Sequence, residues 1–232
     1  RKIRKNGGIR LDIQNKILLK ETIETISPDV IINLAAMTDV DKCESDPKLA
    51  YEINVVGVQN ICEVFNGKIV HISSDYVFDG KNGPYNVFDR VCPISVYGKT
   101  KLESEKVIRN ANSENLIIRA NVLYDYNANT NASFLNWVIK SLRHGQQINV
   151  VEDQYNNPTW TKSLAKVIEL ALIKNLKGII HWGDSDFVSR YEFAKIIASK
   201  FSLKSNLIKP ISTLELRQKA PRPLNSGLIS DE

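Results

Sequence analysis

Short apolar segments that alternate with longer helical segments constrain the fold of this chain more than any other sequence feature. Residues 30–34, 69–72 and 116–119 are nearly continuous aliphatic runs. Such runs are typical of strands buried on both faces of a parallel sheet, because a solvated face would need alternating polar residues. Helices of ten or more residues between strands indicate βαβ units. The sequence therefore predicts an α/β fold with a Rossmann-like, doubly wound parallel sheet.

The predicted elements follow one another along the whole chain. Strands are predicted at residues 9–13, 30–34, 69–72, 116–119, 148–151 and 178–182. Helices are predicted at 16–26, 47–65, from about 93 to 110, and at 134–143, 161–173 and 189–201. The last helix should begin with a capping box formed by Ser189 and Glu192. The proline-punctuated tail from residue 210 is predicted to be irregular.

The 232 residues are enough for one domain with a small additional lobe. Residues 1–120 are predicted to form a dinucleotide-binding core, to which residues 145–173 return. Residues 121–144 and 174–232 are predicted to form a small C-terminal substrate lobe. The predicted strands end in small or polar residues, and ligands of such sheets bind beyond the carboxyl ends of the strands.

Composition argues against several functional classes. The net charge of +5 arises from 31 basic and 26 acidic residues mixed along the chain, which favours a solvated surface over a nucleic-acid partner. No apolar run is long enough to cross a bilayer, so no membrane partner is expected. The 3 scattered cysteines fit reduced thiols in the cytoplasm. The 3 histidines lack metal-ligand spacing, so no metal site is predicted.

A strand-end hydroxyl and a helical tyrosine–lysine pair form the predicted catalytic group. Ser74 ends the 69–72 strand region, and Tyr97 and Lys101 lie four residues apart on one helix face. A ketone that accepts hydride needs a proton, and a tyrosine beside an ammonium can supply it. The alternative is a surface tyrosine near a serine that merely ends a strand. A second pair, Tyr191 and Lys195, has no preceding strand-end hydroxyl and is interpreted as packing.

A series of motifs in order resembles the dTDP-4-dehydrorhamnose reductase family of extended short-chain dehydrogenase/reductases. The motifs are NLAAMTDVDKCE (33–44), NVVG (54–57), HISSDYVFDG (71–80), YGKTK (97–101), VVEDQ (150–154), PT (158–159) and RPLNS (222–226). The resemblance covers nearly the whole chain. It implies reduction of the C4 ketone of a nucleotide-linked 6-deoxy-4-keto sugar by NADP(H), with NAD(H) as the alternative cofactor. The resemblance is compatible with a homodimer but does not establish one.

The resemblance also implies roles for individual residues. Tyr97 would donate the proton, Lys101 would tune Tyr97 and bond the nicotinamide ribose, and Ser74 would polarise the ketone. Cofactor contacts are implied for Asp12 and Ile13 at the adenine, for Leu34, Ala35 and Ala36 beside the cofactor, and for Asn54, which props the active-site strand. Sugar-nucleotide contacts are implied for Thr38, Val40, Tyr76, Arg222 and Asn225. Each of these further residues could instead serve a purely structural purpose.

Two departures from the family pattern leave alternatives open. The Gly-rich turn that cradles a pyrophosphate does not precede residues 11–13, so we expect an N-terminal strand and turn upstream of the sequence given. The basic run 1–5 would then favour NADP(H) through its 2′-phosphate. Val122 occupies a position where reductases of the family usually carry an aromatic residue. The NADP-binding beta subunit of methionine adenosyltransferase, which this chain also resembles, has an aliphatic residue at the same position. A regulatory subunit is therefore the alternative function.

Overall fold

A computed structural model describes residues 8–127 and 133–230. The strands are β1 Val30–Asn33, β2 Lys68–Ser74, β3 Leu116–Ala120, β4 Leu123–Tyr124, β5 Ile148–Val151, β6 Tyr155–Asn156, β7 Thr159–Trp160, β8 Gly178–Trp182, β9 Val188–Ser189 and β10 Ile208–Ile211. The α-helices are α1 Lys16–Ile26, α2 Val40–Ser45, α3 Pro47–Tyr51, α4 Gly57–Val64, α5 Val96–Ala111, α6 Phe134–Arg143, α7 Thr161–Ile173, α8 Arg190–Lys200 and α9 Thr213–Leu216. Within these ranges no helix is long and apolar enough to cross a membrane.

The central sheet has the strand order β1-β2-β3-β8, and all of its described pairings are parallel. Alternate residues of β2 and β3 point to opposite faces, as strand geometry requires. Val70 and Ile118 pack with α7, whereas Ile69 and Ile117 pack with α1, α4 and α5. Helices therefore cover both faces, which confirms the predicted α/β, Rossmann-like fold.

A smaller lobe forms around a second parallel pair, β5 and β10. Helices α6 and α8 cover this pair, and their buried side chains form a separate apolar cluster. The cluster includes Val138, Ile139, Val150, Ala194, Ile197 and Ile208. The lobe thus has its own core beside the central sheet.

Strand pairing corrects the predicted division of the chain. Residues 148–151 do not return to the central sheet, because β5 pairs with β10 in the lobe. Residues 178–182 do not lie in the lobe, because β8 pairs with β3 in the central sheet. Each segment is a short apolar strand, and its own residues do not specify which distant strand it joins.

Four local predictions also need correction. Residues 9–13 form no strand and end in a turn, and residues 47–65 are interrupted by a π-helical turn at Glu52–Val56. Helix α5 begins at Val96 rather than near 93, because Ser95 caps it by accepting from the Gly98 N–H. The tail contains β10 and α9, the latter begun by an unforeseen capping box of Ser212 and Glu215.

Residues 224–229, here called the closing segment, join the two parts of the molecule. The Asn225 N–H donates to the Gly80 carbonyl at 2.9 Å, and the Tyr85 N–H donates to the Gly227 carbonyl at 2.7 Å. On the other side, the Tyr155 N–H donates to the Leu224 carbonyl at 2.6 Å. The closing segment therefore ties the loop that follows β2 to strand β6.

Candidate active site

A crevice opens at the carboxyl ends of β1, β2 and β3, as the strand-end residues predicted. Its volume is about 780 Å³. Leu34, Ala36, Ser74, Tyr97 and Lys101 line it together, although they come from three different segments of the chain. The structure thus gathers the predicted catalytic group and part of the predicted cofactor set around one cavity.

The three predicted catalytic side chains are almost completely buried within this crevice. Ser74 is 6% exposed, Tyr97 9% and Lys101 2%. The Tyr97 phenol lies near Ser74 in the same crevice, and the Lys101 amine donates to the Ile72 carbonyl at 2.7 Å. The phenol therefore faces the strand-end hydroxyl, which the alternative of a surface tyrosine does not explain.

Burial shifts the acidity of both titratable members of the group. It raises the pKa of the Tyr97 phenol well above its ordinary value, and the nearby Ser74 hydroxyl opposes that rise. Burial lowers the pKa of the Lys101 amine to about 8, although the nearby Glu105 charge acts in the opposite direction. The site therefore holds a protonated phenol beside an amine that exchanges its proton near neutral pH.

Close packing at the start of α5 sets the position of Tyr97. A Cβ atom at Gly98 would overlap the carbonyl oxygen of Tyr76, so the chain can approach this closely only at a glycine. The rings of Tyr76 and Tyr97 meet edge to face, with centroids 5.4 Å apart. The helix start is thereby fixed against the loop that follows Ser74.

Asp75 is a buried acid next to Ser74, and the sequence motifs did not single it out. Its carboxylate accepts hydrogen bonds from the Ser74 hydroxyl at 2.9 Å and from the Ser226 hydroxyl at 2.6 Å. Burial raises its pKa from 3.8 to about 6, and the two serine hydrogen bonds oppose the rise. Asp75 therefore links the closing segment to the Ser74 hydroxyl.

The raised pKa of Asp75 predicts a pH-dependent stability. Between pH 3.8 and about 6, the native state holds a proton that the unfolded chain has released. The free energy of unfolding should therefore fall as pH rises through this window, by about 3 kcal/mol, and stay lower above it. Urea titrations of Asp75→Asn should lack this fall.

Asp79 provides the matched control for that measurement. The hydrogen bond from Tyr85 lowers the pKa of Asp79, so its contribution to stability should instead be lost as pH falls. Asp79→Asn should therefore retain the decline between pH 4 and 6. A decline that persists unchanged in Asp75→Asn would contradict the assignment.

A second cavity, of about 440 Å³, adjoins the crevice and extends toward the smaller lobe. Thr38, Val40 and Tyr76 line both cavities, and Arg222 lines the second. Arg222 pairs with Asp41 at 3.0 Å and is nearly buried. The predicted sugar-nucleotide residues, except Asn225, thus surround one continuous space.

Arg190 is the prominent residue of this space that sequence reasoning missed. It lines both cavities, hydrogen-bonds to Tyr76, and its guanidinium lies 5.3 Å from the centre of the Phe134 ring. It follows the Ser189 cap at the start of α8, where an arginine is usually a solvated surface residue. Only the fold of the lobe turns it toward the crevice.

Several other predicted residues lie away from the cavity walls. Asp12 is exposed and caps a turn by accepting from the Gln14 N–H, and Ile13 packs against Gly57. Ala35 is exposed and donates its N–H to the Asn33 side chain. The predicted phosphate contacts of residues 1–5 lie outside the described residues.

Asn54 and Asn225 act as braces in the structure. Asn54 binds both backbone groups of Met37 and donates to the Thr100 hydroxyl at 3.0 Å, which ties the β1 turn to α5. Asn225 donates its side-chain amide to the Gly83 carbonyl at 2.8 Å. In the second Tyr-x-x-x-Lys pair, the Lys195 amine lies 5.5 Å from the Tyr191 ring centre, as expected for packing.

The parallel sheet with a buried hydroxyl, phenol and amine at its carboxyl edge defines a Rossmann-like dehydrogenase or reductase. The chain belongs to the RmlD substrate binding domain family, whose model matches residues 3–232. This confirms the family resemblance inferred from the motif series.

Three relatives illustrate the range of the family. A dTDP-4-dehydrorhamnose reductase from Aggregatibacter actinomycetemcomitans is 34% identical, over 94% of this chain and 78% of its own. A crystal structure of dTDP-4-dehydrorhamnose reductase from Bacillus anthracis in complex with NADP superposes with a TM-score of 0.88 at 33% identity. The superposition covers 95% of this chain and 79% of the Bacillus chain. Methionine adenosyltransferase 2 subunit beta from Xenopus laevis is 33% identical over 94% of this chain and 68% of its own.

Proposed function

We propose that this protein is a dTDP-4-dehydrorhamnose reductase that uses NADP(H) to reduce the C4 ketone of dTDP-4-dehydrorhamnose. The observation that carries the proposal is the buried Tyr97 phenol, which lines one crevice together with Ser74 and Lys101. A ketone reductase needs this combination of a proton donor, a carbonyl-polarising hydroxyl and a neighbouring cation. The reductases among its relatives support the choice of substrate.

The residues at the mouth of the crevice fit the nicotinamide end of NADP(H). The small side chains of Ala36 and Ala120 would leave room in the crevice for the flat nicotinamide ring, and Leu34 would supply an apolar surface. The amine of Lys101 would bind the ribose, and the backbone near Ala35 would run beside the cofactor. The bound cofactor would supply the hydride. Asp12 and Ile13 as adenine contacts and Asn54 as a support for the site remain proposals.

Proton delivery follows from the geometry of the chain's own groups. The Ser74 hydroxyl, which donates to Asp75 in the structure, would redirect its proton to the ketone oxygen and so make C4 more electrophilic. As hydride adds to C4, the oxygen gains negative charge and takes the proton of Tyr97. The phenol is protonated at neutral pH, and because burial raises its pKa it would release the proton only as negative charge develops on the ketone oxygen. The product is an alcohol, and the phenolate must regain a proton before the next turnover.

The second cavity would hold the nucleoside diphosphate. Arg190 and Arg222 supply positive charge, and arginine matches the geometry of phosphate oxygens. Phe134 and Trp137 offer ring surface in the same cavity, Thr38, Val40 and Tyr76 would meet the sugar, and Asn225 would support the closing segment behind it. We propose the smaller lobe as the substrate lobe on this basis.

Arg190→Lys should weaken substrate binding more than turnover. Lysine keeps the charge but loses the planar fork, so KM for the sugar nucleotide should rise about 10-fold or more, with a smaller change in kcat. Steady-state kinetics check this. Arg143→Lys is the matched control, because Arg143 also lies over an aromatic ring, Tyr126, but lines neither cavity. Equal KM changes in both variants would contradict the role of Arg190.

An NADP-binding regulatory subunit is the second candidate function. Val122 lines both cavities where an aromatic residue was expected, and the methionine adenosyltransferase beta subunit is among the relatives. Oxidation of NADPH on addition of dTDP-4-dehydrorhamnose separates the two functions. Steady turnover supports the reductase, whereas cofactor binding without turnover, together with binding to a methionine adenosyltransferase, supports the subunit. A cytoplasmic location and a homodimer remain predictions.

A further inference from the structure

His71 lies directly beneath the catalytic group and has no part in the mechanism above. It is on β2, 1% exposed, with its Nε2 atom 3.3 Å from the Lys101 amine. A histidine this close to a lysine can either accept a hydrogen bond from the ammonium or oppose it with its own N–H. The tautomer of His71 decides between these cases.

The hydrogen bonds around His71 fix that tautomer from one side. The Ala35 N–H donates to Asn33 Oδ1 at 3.1 Å, so the Asn33 side chain turns its NH₂ group toward the imidazole. Asn33 Nδ2 lies 3.0 Å from His71 Nδ1. Since the amide nitrogen can only donate, Nδ1 must accept and carry no proton.

The other side of the ring gives the same answer. The Ser104 hydroxyl donates its proton to the Lys101 carbonyl at 2.7 Å, so its oxygen is free to accept. That oxygen lies 3.0 Å from His71 Nε2. The ring nitrogen therefore carries the proton and donates it, which makes His71 the neutral Nε2–H tautomer.

We propose that His71 is a positioning residue for the reaction: because its Nε2 proton is donated to Ser104, the ring offers no acceptor to the Lys101 amine 3.3 Å away and makes protonation of that amine less favourable. The inference rests on the proposed reductase function. An amine that exchanges its proton near neutral pH can return a proton to the Tyr97 phenolate after each transfer. An ordinary lysine would hold its proton too tightly for this task.

Burial is the largest cause of the lowered Lys101 pKa, and His71 would act in addition to it; the charged groups described around the amine do not act in the same direction. Glu105, on the same helix, favours the charged amine, and it is itself bound by Arg119. Asp75 lies beyond the end of β2 and is held by two serines. From the elements packed on α5, Glu44 accepts from the Val96 N–H, and Glu52 reaches solvent. Burial also lowers the pKa of His71 itself, in accord with a neutral ring.

Nuclear magnetic resonance of the full chain labelled with ¹⁵N-histidine tests the tautomer without substrate. The His71 ring, assigned by its loss in His71→Gln, should show a protonated Nε2 and an unprotonated Nδ1 from about pH 5 to 9. A proton on Nδ1, or an imidazolium in this range, would overturn the proposal. This arm uses the wild-type protein, so it does not depend on the folding of a variant.

Asn33→Asp reverses the tautomer with almost no change in shape. The carboxylate would still accept from Ala35 and would also accept from Nδ1–H, leaving Nε2 as an acceptor for the Lys101 ammonium. The Lys101 titration, followed by its ¹³Cε signal and assigned with Lys101→Arg, should then move up by at least about one pH unit. The corresponding limb of the kcat/KM profile should move with it.

A double variant separates the imidazole from the added charge. In Asn33→Asp with His71→Gln, the upward shift should be largely lost. A shift that persists in the double variant would assign the effect to the carboxylate and overturn the role of His71. Wild-type protein that shows the expected tautomer and titrations but reduces no sugar nucleotide would refute the reaction and, with it, the catalytic purpose of the lysine tuning.

Discussion

Tyr97→Phe should lower kcat for NADPH-dependent reduction by at least about 100-fold, because it removes the proton donor and keeps the ring. The loss should fall on kcat more than on cofactor affinity, since the phenyl ring still fills the same space beside Tyr76. Stopped-flow and steady-state measurements of NADPH oxidation check the rate.

Tyr191→Phe is the control for this experiment. It makes the same atomic change in the other Tyr-x-x-x-Lys pair, whose tyrosine packs against the core of the smaller lobe. Its kcat should stay within about twofold of the wild type. If Tyr97→Phe retained activity at a comparable level, the phenol would not be the proton donor, and the regulatory-subunit function would gain support.

Glu105→Gln should cause the largest loss of stability, about 3–5 kcal/mol in the free energy of unfolding. Glu105 binds Arg119 through two hydrogen bonds, of 2.9 and 2.8 Å, and also accepts from the Ser73 hydroxyl at 2.6 Å. Both side chains of the pair are buried, 2% and 4% exposed. Glutamine would leave the Arg119 charge without its counter-ion between the sheet and α5.

Glu103→Gln on the same helix is the matched control for the Glu105 experiment. Glu103 pairs with Lys106 at 2.9 Å, but both side chains are about half exposed. Its removal should change stability by less than about 1 kcal/mol, as is usual for surface pairs. Chemical denaturation of both variants makes the comparison. Similar small losses in the two would show that water or a rearranged partner compensates Arg119.

The sequence predicted those elements whose signals are local. Helices α1, α6 and α7 and strands β5 and β8 have the predicted bounds, because apolar periodicity, capping residues and glycines mark them. The pairing of β5 with β10 was missed, since the choice of partner strand depends on contacts between segments about 60 residues apart. Proline at position 210 also suggested a break, yet an edge strand tolerates it.

The same distinction between local signals and long-range contacts applies to the residues of the candidate site. Ser74, Tyr97 and Lys101 were predicted because a reaction requires their chemistry in that order, and the fold brings them to one cavity. Arg190 was missed as a site residue because it reaches the crevice only through long-range packing. Asp75 adjoins Ser74 in the sequence, but its role was missed because it depends on the distant Ser226. Asn54 and Asn225 brace loops in the structure, and their roles toward cofactor and substrate stay predictions, because an asparagine that braces a loop has the same sequence signal as one that binds a ligand.

The closing segment has a consequence for biosynthesis. Ser226 reaches Asp75 across 151 positions of the chain, and the carboxylate it binds also holds the catalytic serine. A nascent chain therefore cannot complete the pocket until this late portion has emerged from the ribosome. Until then Asp75 lacks its Ser226 partner, so this end of the crevice can form only after residue 226 has been translated.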